Sequence, residues 1–198
     1  MFVTFEGLDG SGKTTQAELL RERLEADGVD VVVTREPGGT ELGERVRDLL
    51  LHGGHVSPWA EALLYAASRA QHVEEVIRPA LERGASVICD RYVDSSVAYQ
   101  GVGRGLGLER VLDLNLAAVQ GLMPDRTFLL LLDPDDARSR IPGAHDRLER
   151  EGGEFRRRVD AGYRELAERF PERIVVLDAA RPADELAEEV HGALRVGT

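Results

Sequence analysis

Residues 7–14 spell Gly-Leu-Asp-Gly-Ser-Gly-Lys-Thr, a match to G-x-x-x-x-G-K-[ST]. Glycines at 7, 10 and 12 let successive backbone N–H groups converge on one anion, the role of a loop that wraps the phosphates of a nucleoside triphosphate. Lys13 has the compact ammonium that bridges terminal phosphates, and Thr14 has a hydroxyl for Mg2+. Lys13 is also the only lysine among 25 basic residues, all the others being arginine. The candidate nucleotide-binding residues are therefore Gly7, Leu8, Asp9, Gly10, Ser11, Gly12, Lys13 and Thr14. Asp9 is the anomaly, because a carboxylate aimed into this cradle would compete with phosphate. It should point outward, either toward a second substrate or to brace the loop or a neighbouring arginine.

Such a loop works only between a strand and a helix. Phe2 to Glu6 supplies the strand, and Thr14 to Ala26 has the 3.6-residue period of the helix. Further strand-like runs are Val29 to Thr34, Ala85 to Asp90, Thr127 to Asp133 and Arg173 to Asp178, each apolar on both faces as covered parallel strands are. Helical patterns fill Glu41 to Leu51, Pro58 to Arg83, Leu108 to Gln120, Glu154 to Arg169 and Ala183 to Leu194. Pro79 should bend or break the Pro58 to Arg83 helix near Ile77, and Gly28 and Gly84 should stop the Thr14 to Ala26 and Pro58 to Arg83 helices. The alternation predicts an α/β fold of the P-loop NTPase kind, with a five-stranded parallel sheet flanked by helices. A single domain over 1–198 is expected, with a small lid at about 138–150.

A formal charge of -11 repels nucleic-acid backbones and anionic membrane surfaces, so neither is an expected partner. The start MFVTFEG lacks a basic leader, and the apolar run Phe128 to Leu132 is too short to span a bilayer, so a cytoplasmic protein is expected. Cys89, the single cysteine, sits in the apolar run ASVICD as a small buried hydrophobe. The five histidines, His52, His55, His72, His145 and His191, show no metal-ligand spacing. A GTPase switch would need a guanine-reading N-K-x-D, which a chain with no lysine besides Lys13 cannot contain.

Three further stretches narrow the acceptor: TREPGGT at 34–40, DRYVDSSVAYQG at 90–101 and DRLERE at 146–151. Together with the P-loop and LLYAASRAQHV at 63–73, they resemble thymidylate kinase over essentially the whole chain. The resemblance implies phosphorylation of dTMP to dTDP by ATP with Mg2+, in a homodimer joined through helices. Arg35 of the REP stretch would hold the acceptor phosphate, or form only a surface ion pair. Tyr65 would stack on thymine, or be core, and Arg69 one turn later would reach a base carbonyl. Arg91 would gather the transferring and accepting phosphates, and Asp90 would hold Mg2+ through water. Ser96 and Gln100 fall at polar contacts to the base, or are ordinary turn and helix polarity. Tyr99 falls where a ring crowds the sugar 2′ position, and Asp9 where a carboxylate reaches the 3′-hydroxyl.

The family adds one more arginine, from the P-loop or from the lid. Gly10 and Ser11 are uncharged here, so the lid must supply it, although Pro142 and Gly143 replace residues that are basic in many members. Arg138 and Arg140, two apart on a short helix begun by Asp133 and Pro134, point to opposite sides. Arg140 is the expected catalytic arginine, with Arg147 next. The accepting phosphate oxygen is already anionic, so no general base is required. Another nucleotide kinase, or a nucleotide-dependent interaction protein without catalysis, is the alternative reading.

Overall fold

The computed structural model describes residues 1–141, 147–148 and 150–195. The lid positions Pro142, Gly143 and His145 lie outside these residues. Five parallel strands form one sheet: β1 (Phe2–Glu6), β2 (Val31–Arg35), β3 (Ser86–Asp90), β4 (Arg126–Leu131) and β5 (Ile174–Asp178), in the order β2-β3-β1-β4-β5. β1 is buried along its whole length and pairs with β3 from Phe2↔Val87 and with β4 from Val3↔Arg126. The chain leaves β1 toward one side of the sheet and later returns to the other, which places a crevice outside the carboxyl ends of the central strands. The expectation that every strand is covered on both faces fails at the edges, where Val33 of β2 is 40% exposed and Val176 of β5 is 46% exposed. Each of these strands has a neighbour on one side only.

The helices are α1 (Lys13–Ala26), α2 (Glu41–His52), α3 (Pro58–His72), α4 (Arg78–Glu82), α5 (Val93–Ser96), α6 (Leu108–Ala118), α7 (Pro134–Ser139), α8 (Gly153–Arg169) and α9 (Ala183–Arg195). α1 buries Ala17, Leu20 and Leu24, the i, i+3, i+7 stripe of an amphipathic helix, each leucine giving roughly 1.5 to 3 kcal/mol. Thr40 caps α2 by accepting from the Gly43 N–H at 3.0 Å, and Asp133 caps α7 by accepting from the Asp135 N–H at 2.8 Å. Gly28 and Gly84 follow α1 and α4 with φ of 78° and 87°, as helix stops do. Among the described residues no helix is long and apolar enough to cross a membrane.

Pro79 does not break the long helical run. The backbone widens into a π-helical stretch at Val73–Ile77, where the Arg78 N–H reaches back to the Val73 carbonyl, and then continues as α4. A second π-helical stretch, Val97–Gly103, extends α5, so the segment after β3 is helical where the sequence pattern indicates none. α8 packs closely on it: a Cβ at Gly162 would sit 3.0 Å from Val102 and 3.2 Å from the Ala98 backbone, so a side chain there would have to push its neighbours by a few tenths of an ångström.

Candidate active site

β1 delivers the chain into the Gly7–Thr14 loop, and α1 starts at Lys13, so the loop's N–H groups lie at the positive end of a helix. Gly10 holds φ 85° with the Ala137 carbonyl 2.3 Å from where a Cβ would be, which excludes any side chain. The Lys13 ammonium is 5% exposed and donates to the Leu8 carbonyl at 2.9 Å. Burial pushes its pKa down to about 8, and the charge of Arg91 adds to the fall. The Ser11 hydroxyl is buried and has no partner among the described residues. A buried orphan donor beside a desolvated cation is what an incoming phosphate would satisfy. Thr14 donates to Asp90 Oδ2 at 2.7 Å, so the hydroxyl and carboxylate suited to Mg2+ are already adjacent.

Beside the cradle lies a cavity that is partly open to solvent. Asp9, Tyr65, Arg69, Arg91, Ser96, Tyr99 and Gln100 all line it. Asp9 does point out of the cradle, and it also braces an arginine: Arg91 Nη2 donates to Asp9 Oδ1 at 2.5 Å. Burial would raise the Asp9 carboxyl, but Arg91 and then Lys13 outweigh it and hold it down to about 2. Arg91 has φ 72°, uncommon outside glycine and frequent where a side chain is aimed at a ligand. Burial opposes its charge, yet Asp9 keeps the guanidinium protonated, its pKa well above the usual arginine value.

Arg69 is 1% exposed and spends most of its donors on protein. It donates to Glu36 Oε2 at 2.6 Å, to Ser96 Oγ at 2.9 Å, to the Tyr92 carbonyl at 2.9 Å and to Asn115 Oδ1. Among the described residues Nη2 makes one of these bonds, to the Tyr92 carbonyl, and the residue lines the cavity. Ser96 is thus an acceptor for Arg69, not a surface polar group. Gln100 donates from Nε2 to Glu61 Oε1 at 2.8 Å and lines the cavity.

Three of the expected residues lie away from the cavity, and Arg35 takes the alternative of a surface ion pair. Arg35 does not line the cavity: it ends an edge strand, is 56% exposed in its side chain, and pairs with Glu44 at 3.1 Å. Its neighbours Glu36 and Pro37 face inward, and the arginine at that wall is Arg47 of α2, donating to the Pro37 carbonyl at 3.0 Å. Arg140 donates to the Ala179 carbonyl at 3.2 Å, whereas a smaller pocket touching Leu8, Asp9 and Tyr99 is lined by Arg138 and Arg156. Arg147 lies against α2 and α3, donating to the Leu50 carbonyl at 2.7 Å and pairing with Glu61 at 2.7 Å, so it is not beside the cradle.

Sequence reasoning also missed Glu6 and Glu61, both 0% exposed. Glu61 sits one turn before Tyr65 and two before Arg69 on the same face of α3, a spacing that could have flagged it. Glu6 is the lone acid of a strand otherwise apolar enough to be fully buried, and that was its signal. Burial, with help from Asp94, pushes Glu6 up to about 7. A carboxyl raised on folding favours the folded state below its unfolded value of 4.5, and that contribution disappears as pH rises through about 7. Glu6→Gln should therefore gain stability relative to wild type, by up to about 3 kcal/mol, between pH 4.5 and 7 and then level off. Urea unfolding of both proteins across that range reads the difference, and a pH-independent gap would contradict it.

A family model described as "Thymidylate kinase" matches residues 5–190. The chain is 54% identical to the thymidylate kinase of Clavibacter sepedonicus, covering 99% of this chain and 95% of that one. It is 54% identical to the thymidylate kinase of Pelotomaculum thermopropionicum, covering 91% and 86%. Among solved structures, the crystal structure of thymidylate kinase from Ehrlichia chaffeensis superposes with a TM-score of 0.81 at 37% identity, covering 98% of each chain. With its P-loop, its parallel sheet and a family match running nearly end to end, the chain belongs to the thymidylate kinase family.

Proposed function

We propose that the chain, as a single domain, transfers the terminal phosphoryl group of ATP to dTMP, forming dTDP. The observation that carries this reading is the convergence of Asp9, Tyr65, Arg69, Arg91 and Gln100 on one cavity next to the Lys13 cradle. Lys13, the loop N–H groups and Ser11 would bind the ATP phosphates, and Thr14 and Asp90 would hold Mg2+, which would supply charge neutralisation at the phosphates. Arg91 and Arg47 reach the acceptor phosphate, and Arg138 is the lid arginine. The cavity's polar edge fits thymine: Gln100 offers an acceptor for the N3–H, Arg69 a donor for a ring carbonyl, and Tyr65 an aromatic face. Cytosine presents the opposite pattern at N3 and at its exocyclic amine, leaving buried groups unpaired. Positioning and preorganised positive charge then supply the rate, with no proton to remove.

A coupled ADP-release assay with a panel of monophosphates tests the reading. Turnover efficiency with dTMP should exceed that with dCMP by about a thousandfold or more, while dUMP, lacking only a methyl, should lose about 10- to 200-fold. The active species should sediment as a homodimer, joined through the sides of α2 and α3 that expose Leu42, Leu49 and Leu63. Comparable rates with dCMP, or transfer to no monophosphate at all, would overturn the assignment. The second outcome would favour a nucleotide-dependent interaction protein.

A further inference from the structure

Arg91 uses its two terminal nitrogens differently. Nη2 faces Asp9 and Tyr99 at the cavity. Nη1 turns into the protein, donating to Ser95 Oγ at 3.0 Å and to Tyr163 Oη at 3.2 Å. Both hydroxyls in turn donate to one oxygen, Glu6 Oε2, at 2.5 Å from Ser95 and 3.0 Å from Tyr163. The other carboxylate oxygen, Oε1, accepts from the backbone N–H groups of Tyr92 and Ser95 at 2.7 and 3.2 Å. With Glu6 ionised the bond directions are fixed, since a guanidinium only donates and each hydroxyl has a single proton to give.

We propose that Glu6, Ser95 and Tyr163 are positioning residues for Arg91: a buried carboxylate set one hydroxyl behind the guanidinium fixes the Nη1 edge, so that the Nη2 edge, held by a single oxygen of Asp9, is turned to the cavity where phosphate would bind. The inference rests on the phosphate-binding role proposed above for Arg91. A carboxylate in direct contact would also orient the guanidinium, but a bidentate pair would consume the fork that phosphate needs. Placing two hydroxyls between them keeps the counter-charge of Glu6 close without adding a second direct carboxylate contact to the one that Asp9 makes with Nη2. Glu6 also holds the backbone on the far side of Arg91 through the Tyr92 N–H, so one carboxylate controls both the main chain and the side chain at this strained residue. The three partners come from β1, α5 and α8, and Ser95 also lines the cavity.

The decisive variant is Tyr163→Phe, which keeps the ring and removes only the bridging hydroxyl. It is expected to lower kcat about tenfold with the KM for ATP changed less than twofold, as for the loss of one charge-assisted hydrogen bond at the reacting centre. In an Arg91→Lys background, where an ammonium cannot span both hydroxyls, the same change should cost less than twofold. Ser95→Ala should repeat this pattern if Tyr163→Phe folds poorly. Glu6→Gln, which places a donor where Oε2 accepts, should cost more than either hydroxyl. Wild-type kcat in Tyr163→Phe and Ser95→Ala, or an equal loss with Arg91 intact and in the Arg91→Lys background, would overturn the positioning role while leaving Arg91 as a phosphate ligand. Wild-type turnover in Arg91→Lys alone would instead remove the phosphate role on which the inference stands.

Discussion

Lys13→Ala is expected to lower turnover by about a hundredfold or more, a loss of roughly 3 kcal/mol of transition-state stabilisation, because it removes a preorganised charge from the bridging phosphate oxygens. The protein should not become less stable. The ammonium is held at a cost: its pKa is lowered to about 8 from 10.5, so the folded state resists its charge below about 8, and the penalty is relieved as pH rises toward 10.5. Lys13→Met, which keeps most of the volume, should therefore melt at or above the wild-type temperature at neutral pH. Active-site residues that oppose stability in this way are expected where function sets the residue. Turnover within tenfold of wild type would sink the catalytic role, and a lowered melting temperature in Lys13→Met would show that the lysine is chiefly structural.

Arg91→Ala should cut turnover further, by about a thousandfold, the scale seen when an arginine that stabilises transferring phosphate is removed. Here stability should fall as well, by about 1 to 3 kcal/mol, since Ser95 and Tyr163 lose the donor shared between them and Asp9 loses its nearest cation. The two variants thus separate by melting temperature even though both are nearly inactive. The KM for dTMP should rise in Arg91→Ala and stay near wild type in Lys13→Ala. Equal KM values in both would show that Arg91 does not touch the acceptor.

Much of this architecture is legible in the sequence because its signals are local. β1, the P-loop and the start of α1 follow from apolar run, glycine spacing and the change of period within a short stretch of chain. The parallel sheet follows from the alternation of strand and helix. What escapes detection depends on partners distant in sequence. Arg35 and Arg47 are both arginines near the same wall, and only the turn of an edge strand and the packing of α2 decide which faces the cavity. The choice between Arg138 and Arg140 likewise depends on where the loop after β5 offers the Ala179 carbonyl. The π-helical stretches carry no periodic signature of their own, so the helix bearing Tyr99 and Gln100 reads as connecting chain. Glu6 and Glu61 look like one more acid in a strand and one more in a helix, until the structure shows each of them buried among donors from other elements.

The seclusion of Lys13 also has a chemical consequence. It is the only side-chain amine in the sequence, and its lowered pKa leaves a nucleophilic fraction at neutral pH that ordinary surface lysines lack. Acylating reagents, which on most proteins scatter over many lysines, would find one side-chain target here, at 5% exposure, inside the cradle. Labelling of that amine becomes a direct gauge of whether the loop is filled, and coupling chemistry aimed at lysine would attach a dye or a surface at the one place where attachment blocks the site.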